Sequence, residues 1–143
     1  MIDFLSSFRN LGVETSNQPP VDAAQALLFC DLLGKDECET HVRAFPHKKS
    51  KKRSQIGVRS GLVLANDIYE LQKINQQGRA VYSVVNDGGV SDSEITCCRA
   101  IFCEWDDKTV DWQITVWKKL GLPEPTFQVL TGGKSVHNYW VFK

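Results

Sequence analysis

The chain has 143 residues, 17 Lys+Arg and 17 Asp+Glu, so it is one domain or part of one, with length enough for a core. Its formal net charge of zero gives no overall pull toward nucleic acid, which leaves only a local patch for such attraction. No apolar stretch approaches membrane-span length, and Met1-Ile2-Asp3-Phe4-Leu5-Ser6 lacks the basic start and long apolar core of a secretion signal.

Five cysteines form no C-x-x-C pair and Cys97-Cys98 are adjacent, which fits reduced thiols in a cytoplasmic setting. Structural zinc is not expected, although Cys38 and His41 stand close together. Residues 1–20 are polar, end in Pro19-Pro20 and read as an N-terminal arm. Asp22 then caps a helix beginning near Val21, with Ala24, Leu27, Leu28 and Leu32 as its apolar stripe and Gly34 at its end. Thr40 to Phe45 alternates as a strand does and stops at Pro46. His41 and Arg43 share one face of it, either solvated or lining a groove.

His47 to Arg53 is a dense charge run and by default a solvated loop. Its Lys48, Lys49, Lys51, Lys52 and Arg53 can also attract nucleic-acid phosphates in a salt-sensitive, sequence-independent way. Asn66 can cap a helix from Asp67 to Ile74, with Ile68, Leu71 and Ile74 on one side and Gly78 just past its end. Arg79 to Val85 is β-branched and alternating, hence a strand. Asn86-Asp87-Gly88-Gly89 is a turn whose glycines let backbone approach a ligand, though such turns usually only turn.

The last third carries the chemistry. Cys98 to Trp105 is an apolar strand running into alternating acids, and in an extended chain Glu104 and Asp106 project from one face, about 7 Å apart. Two carboxylates so placed can share hard divalent cations. A helix follows from Thr109 or Val110, with Ile114, Trp117 and Leu120 spaced along it and Gly121 and Pro123 ending it. Thr126 to Leu130 is a strand, Thr131-Gly132-Gly133 a turn, and Ser135 to Phe142 the returning strand. Lys134, Ser135 and His137 offer an ammonium, a hydroxyl and an imidazole, all suited to phosphate oxygens.

Acids for metal and cations for phosphate together suggest nucleotidyl transfer. The bland alternative is an acidic turn at a strand end beside a hairpin with an ordinary polar side. Asp107 reads as a cap or loop acid. Gly133-Lys134-Ser135 is not a P-loop, because Gln128 stands where that motif needs glycine and a strand follows where it needs a helix. The order strand, helix, strand, strand is the first part of a βαββαβ ferredoxin-like unit.

Glu104-Trp105-Asp106 after an apolar strand resembles the first motif of the archaeo-eukaryotic primases and primase-polymerases, and Ser135-Val136-His137 resembles their second. Tyr82 to Gly89, Cys98 to Phe102 and Gly132 to Trp140 are similar to the replication-type primase-polymerases of plasmids, phages and cyanobacteria. The likeness extends over roughly residues 38–143. It implies an α+β fold with an RRM-like (ferredoxin-like) antiparallel sheet, helices packed on one face, and an N-terminal α/β extension. Residues 21–143 would then be the N-terminal part of a catalytic domain.

The resemblance also implies a DNA primase/polymerase nucleotidyltransferase with a two-metal Mg²⁺ or Mn²⁺ site on Glu104 and Asp106. Lys134, Ser135 and His137 would bind the nucleotide, and His137 would be catalytic beside the acids. The implied partners are nucleoside triphosphates, a single-stranded DNA template and a downstream helicase or helix-bundle domain, with no membrane. Against it stand a non-catalytic RRM-like nucleic-acid-binding module, an inactive primase fragment, or another two-metal enzyme such as a nuclease. Replication-initiator endonucleases are excluded by the lack of a tyrosine near a His-x-His cluster. The family's third acid, on a later strand, has no counterpart before Lys143, so the site is expected to lack a ligand and the sheet to keep an open edge. This polypeptide alone is therefore expected to show little or no primer synthesis or extension. Robust Mg²⁺-dependent deoxynucleotide incorporation by the isolated chain contradicts that expectation.

Overall fold

The computed structural model describes residues 2–3, 22–46, 59–77, 79–131 and 134–143. The basic run from Lys48 to Arg53, the Pro19-Pro20 arm, Gly78 and the Gly132-Gly133 turn lie outside the described residues. In chain order the elements are β1 (Ile2–Asp3), α1 (Ala23–Leu33), β2 (His41–Pro46), β3 (Arg59–Val63), α2 (Leu64–Gln76), β4 (Arg79–Ser83), β5 (Asp87–Gly88), β6 (Ile95–Cys97), β7 (Ala100–Cys103), α3 (Val110–Lys119), β8 (Phe127–Leu130) and β9 (Val136–Val141). This mixed α/β chain divides into two compact units: Val13–Cys98, and Met1–Gly12 with Arg99–Lys143. Among the described residues no helix is long and apolar enough to cross a membrane.

In the Val13–Cys98 unit, β2 is the middle strand of an antiparallel sheet ordered β3-β2-β4. Its alternation buries Val42 and Ala44 and leaves His41 and Arg43 half-covered on the other face, as a period of two requires. Val42 and Ala44 meet Leu62, Leu64, Leu71, Ile74 and Cys30 in one core, with Ala26, Ile68 and Val81 packed against it.

Helix α1 has the expected ends. The Asp22 carboxylate accepts from the amides of Ala24 and Gln25, and Gly34 closes it in the left-handed region at φ 64°. Its buried side is not the expected one: Phe29, Cys30 and Leu33 are inside, whereas Ala24, Leu27 and Leu28 are exposed. The segment Ala23–Leu33 is apolar nearly all round, so periodicity gave no phase for choosing a face.

Helix α2 starts three residues before the expected Asp67. Val63 precedes its first turn, and the Asp67 carboxylate, inside the helix, accepts from the Val63 amide at 2.8 Å. Asn66 is thus an interior residue. The 36–40 loop supports this start by accepting from the amides of Leu64 and Ala65 through the Thr40 and Glu37 carbonyls. Lys35 is buried in the same unit, and its ammonium donates to the Val84 and Asn86 carbonyls at 2.8 and 2.7 Å, with Asp87 at 3.9 Å. A buried ammonium needs such partners, and the contacts pin the loop that leads into β5.

The second unit is a four-stranded sheet ordered β1-β8-β9-β7. Strand β9 is antiparallel to both neighbours, and β1, which falls within the expected arm, adds to β8 in parallel. Helix α3 covers one face: the Gln128 amide donates to the Ile114 carbonyl, the Asn138 amide to the Gln113 carbonyl, and Val116 is fully buried. The helix ends in a Schellman pattern, with the amides of Gly121 (φ 67°) and Leu122 turned back to the carbonyls of Lys118 and Trp117. Its buried positions are Gln113 and Val116. Leu120, expected in the apolar stripe, is exposed.

The contrast between Leu71 and Leu28 can be measured. Leu71→Ala should cost about 2–5 kcal/mol of unfolding free energy. Leu28→Ala, at a half-open position, should stay within about 0.5 kcal/mol. Urea titration of both variants checks this, and equal losses contradict the core assignment.

Candidate active site

The site is built by the pairing of β7 with β9. The register sets Phe102 opposite Tyr139 and Cys103 opposite Asn138, where the ladder ends. Glu104 thus lies beyond the strand, not on it as the expected span to Trp105 put it, and Asp106 lies two residues further on. The register nevertheless carries on in the side chains. One step past Cys103, the Glu104 Oε2 lies 2.9 Å from His137 Nε2. Two steps further, Ser135 Oγ donates to Asp106 Oδ1 at 2.7 Å. Ser135, His137 and Tyr139 alternate onto the sheet face opposite α3, so both acids are met on that face.

His137 is held on three sides. Its ring stacks on Phe102 with centroids 5.2 Å apart, Nε2 faces Glu104, and Nδ1 lies 3.4 Å from the Tyr139 hydroxyl. A carboxylate only accepts, so in the neutral ring Nε2 carries the hydrogen toward Glu104 and Nδ1 is left to accept from Tyr139. Tyr139 is itself buried in a row of near-parallel rings, with Phe127 at 4.7 Å and Phe102 at 5.1 Å. That burial, with the Glu104 charge nearby, pushes the phenol far above its ordinary range and keeps its hydrogen in place.

The acid loop is fixed on its other side as well. Asp107 pairs with the Lys108 ammonium at 2.9 Å, and that bond holds its carboxyl below the usual range, with Lys134 adding a weaker effect of the same sign. The Asp107 side chain is 74% exposed and Thr109 caps α3, so Asp107 is the loop acid. Lys134 is exposed beside Ser135.

Among the described residues no three His, Cys, Asp or Glu side chains are grouped to hold a metal. The donor chemistry still fits a hard divalent ion, since Mg²⁺ is commonly held by one or two carboxylates with the rest of its shell from water and substrate phosphates. The Glu104 side chain is 41% exposed and His137 22%, and a carboxylate–imidazole contact this open is worth at most about 1 kcal/mol, so a charged ligand can displace it. Among the described residues Cys38 and His41 belong to no such group of three either. His41 lines a separate cleft of about 380 Å³ in the Val13–Cys98 unit with Cys38, Glu39, Asp87 and Gly88; Arg43 is not among the lining residues.

Among solved structures the chain is similar to the AEP domain of the cyanophage S-2L primase-polymerase (PrimPol), with 43% identity and a TM-score of 0.74 over 87% of this chain and 64% of that one. The chain belongs to the primase-polymerases of the archaeo-eukaryotic primase superfamily. It spans about two-thirds of that AEP domain, at 64%. No family model and no curated protein matches the sequence. The expected family is thus the observed one, and the acid-x-acid and Ser-x-His segments that suggested it are the two that meet at the end of β7.

Sequence reasoning missed Tyr139, Phe102 and Gln113. The first two were legible as residues two positions from His137 and Glu104 on the same strand face. Gln113, wholly buried, is a polar residue that helical periodicity assigns to solvent.

The Tyr139 environment has a measurable sign. Its folded-state phenol ionises above the unfolded value near 10. The stability it contributes is therefore fully present below about pH 10 and falls as pH rises past that value. In alkaline spectrophotometric titration Tyr139 should be the last of the three tyrosines to ionise, and Tyr139→Phe should remove that last step. An unchanged titration curve contradicts its burial against the acid.

Proposed function

We propose that this chain carries the nucleotidyl-transfer site of a DNA primase-polymerase, adding nucleotides to a primer or initiating nucleotide on a single-stranded template during replication of a plasmid, phage or mobile element. The observation that carries the reading is the convergence of Glu104 and Asp106 on His137 and Ser135, at 2.9 and 2.7 Å, on the face of one sheet opposite α3. The likeness to a primase-polymerase AEP domain supports it. So does the β8-β9-β7 order with α3 behind, which matches three of the four strands of an RRM-like sheet.

In this reading Glu104 and Asp106 hold Mg²⁺ or Mn²⁺. Two such ions supply charge neutralisation at the attacking and leaving oxygens of an in-line displacement. Lys134 contributes a mobile ammonium to the triphosphate, and Ser135 a hydroxyl whose backbone is fixed at the start of β9. His137 presents Nε2–H, held in place by Tyr139 behind it, to an anionic oxygen, and gains from the negative charge that builds there. The bond made joins a hydroxyl oxygen to the α-phosphorus. The bond broken releases pyrophosphate, and the hydroxyl proton leaves to solvent or base. Lys48, Lys49, Lys51, Lys52 and Arg53 remain candidates for strand contact, and a helicase or helix-bundle domain remains a candidate partner.

A non-catalytic nucleic-acid-binding module is the second reading, favoured by the aromatic row on the same face, since RRM-type sheets stack bases on such rings. Phe127 and Tyr139 are buried against each other, however, and only Phe102 keeps an open surface, at 46% exposed. Calorimetry separates the two. The enzyme reading expects nucleoside triphosphate binding that needs Mg²⁺ or Mn²⁺ and falls at least about tenfold in Glu104→Ala, Asp106→Ala and His137→Ala. Binding that ignores metal, or single-stranded oligonucleotide binding that improves when the acids are removed, favours the simple binder instead.

A further inference from the structure

We propose that Gln113 is a positioning residue, a buried clamp that holds the acid loop and the Ser-x-His segment in register with each other. Its side chain is 0% exposed and makes three short bonds. Nε2 donates to the Lys108 carbonyl at 2.9 Å and to the Lys134 carbonyl at 2.7 Å, and Oε1 accepts from the Val136 amide at 2.8 Å.

The placement of those bonds gives the proposal its content. Lys134 and Val136 flank Ser135, so one side chain fixes the backbone on both sides of the residue whose hydroxyl donates to Asp106 at 2.7 Å. Lys108 closes the turn that begins at Asp106, its amide donating to the Trp105 carbonyl, so the third bond fixes the loop that bears the acid. The β7–β9 ladder cannot do this, because it stops at Cys103 and Asn138 and leaves 104–108 without strand pairing. Only an amide group serves, since two carbonyls must be donated to and one amide accepted from by a single planar end. Both donor hydrogens and the acceptor are used, and the side chain is wholly buried, so an apolar or anionic replacement leaves backbone groups unsatisfied. Gln128, by contrast, donates to the Ile114 carbonyl and to Asn138 and reaches neither loop, which makes it a matched control for losing a glutamine from the same helix–sheet interface.

The role as clamp does not depend on what the site binds; the consequence for nucleotide binding rests on the function proposed above. The test compares Gln113→Met and Gln128→Met by amide hydrogen exchange and by Mn²⁺-dependent nucleoside triphosphate calorimetry on the same protein. Exchange within 105–109 and 134–136 should accelerate by about tenfold or more in Gln113→Met alone. Triphosphate affinity should fall about tenfold in Gln113→Met and about twofold or less in Gln128→Met, at similar losses of melting temperature. Equal acceleration in both variants, or none, overturns the clamp. Accelerated exchange with unchanged affinity overturns its positioning role. If the unmutated chain binds no triphosphate with Mn²⁺, the function reading fails, and the exchange data alone then judge the clamp.

Discussion

The antiparallel pairing of β7 with β9 is the constraint from which the site follows. Four residue pairs fix the register, from Ala100 opposite Val141 to Cys103 opposite Asn138. Everything chemical lies just past the last pair, where the same register has only side chains to express it: Glu104 with His137 and Asp106 with Ser135. A slip by one residue would turn Ser135, His137 and Tyr139 to the α3 face and leave both acids unanswered. The buried residues of β9 guard against that slip, since Val136 and Asn138 on the α3 face are 0% exposed and Tyr139 on the other is 4%.

The contacts within the site differ in strength. The Glu104–His137 pair is open to water and worth little, which suits groups that must exchange partners when a ligand arrives. The scaffold beneath is built the other way. Tyr139 is locked between Phe127 and Phe102, and Gln113 spends every hydrogen-bonding group on backbone. Labile groups on a rigid, satisfied frame are what a preorganised binding site needs, because the reorganisation is confined to side chains that water already reaches.

Much of the second unit was legible from sequence, and for physical reasons. Strand alternation, the Thr109 cap and the Gly121 stop are local signals, and here tertiary packing agreed with them. Two features resisted. The acids look like strand residues because alternation continues through Trp105, yet hydrogen-bonded pairing ends at Cys103, a fact set by where β9 begins and not by any property of residues 104–106. Gln113 looks like a solvent residue because its role depends on two carbonyls and an amide that only the fold brings to it. In the Val13–Cys98 unit, α1 lost its phase to uniform apolarity, and α2 began early because the 36–40 loop capped it from a distance.

The central claim is that the carboxylates past β7 and the imidazole on β9 form one metal-dependent triphosphate site. The chain has three histidines, so the His137 ring signals can be followed individually by NMR. Paramagnetic broadening by Mn²⁺ with a nucleoside triphosphate tests the claim directly. Strong broadening is expected at His137, and it should be lost when Glu104 and Asp106 are both replaced by alanine. No broadening at His137, or broadening that survives the loss of both acids, would contradict it.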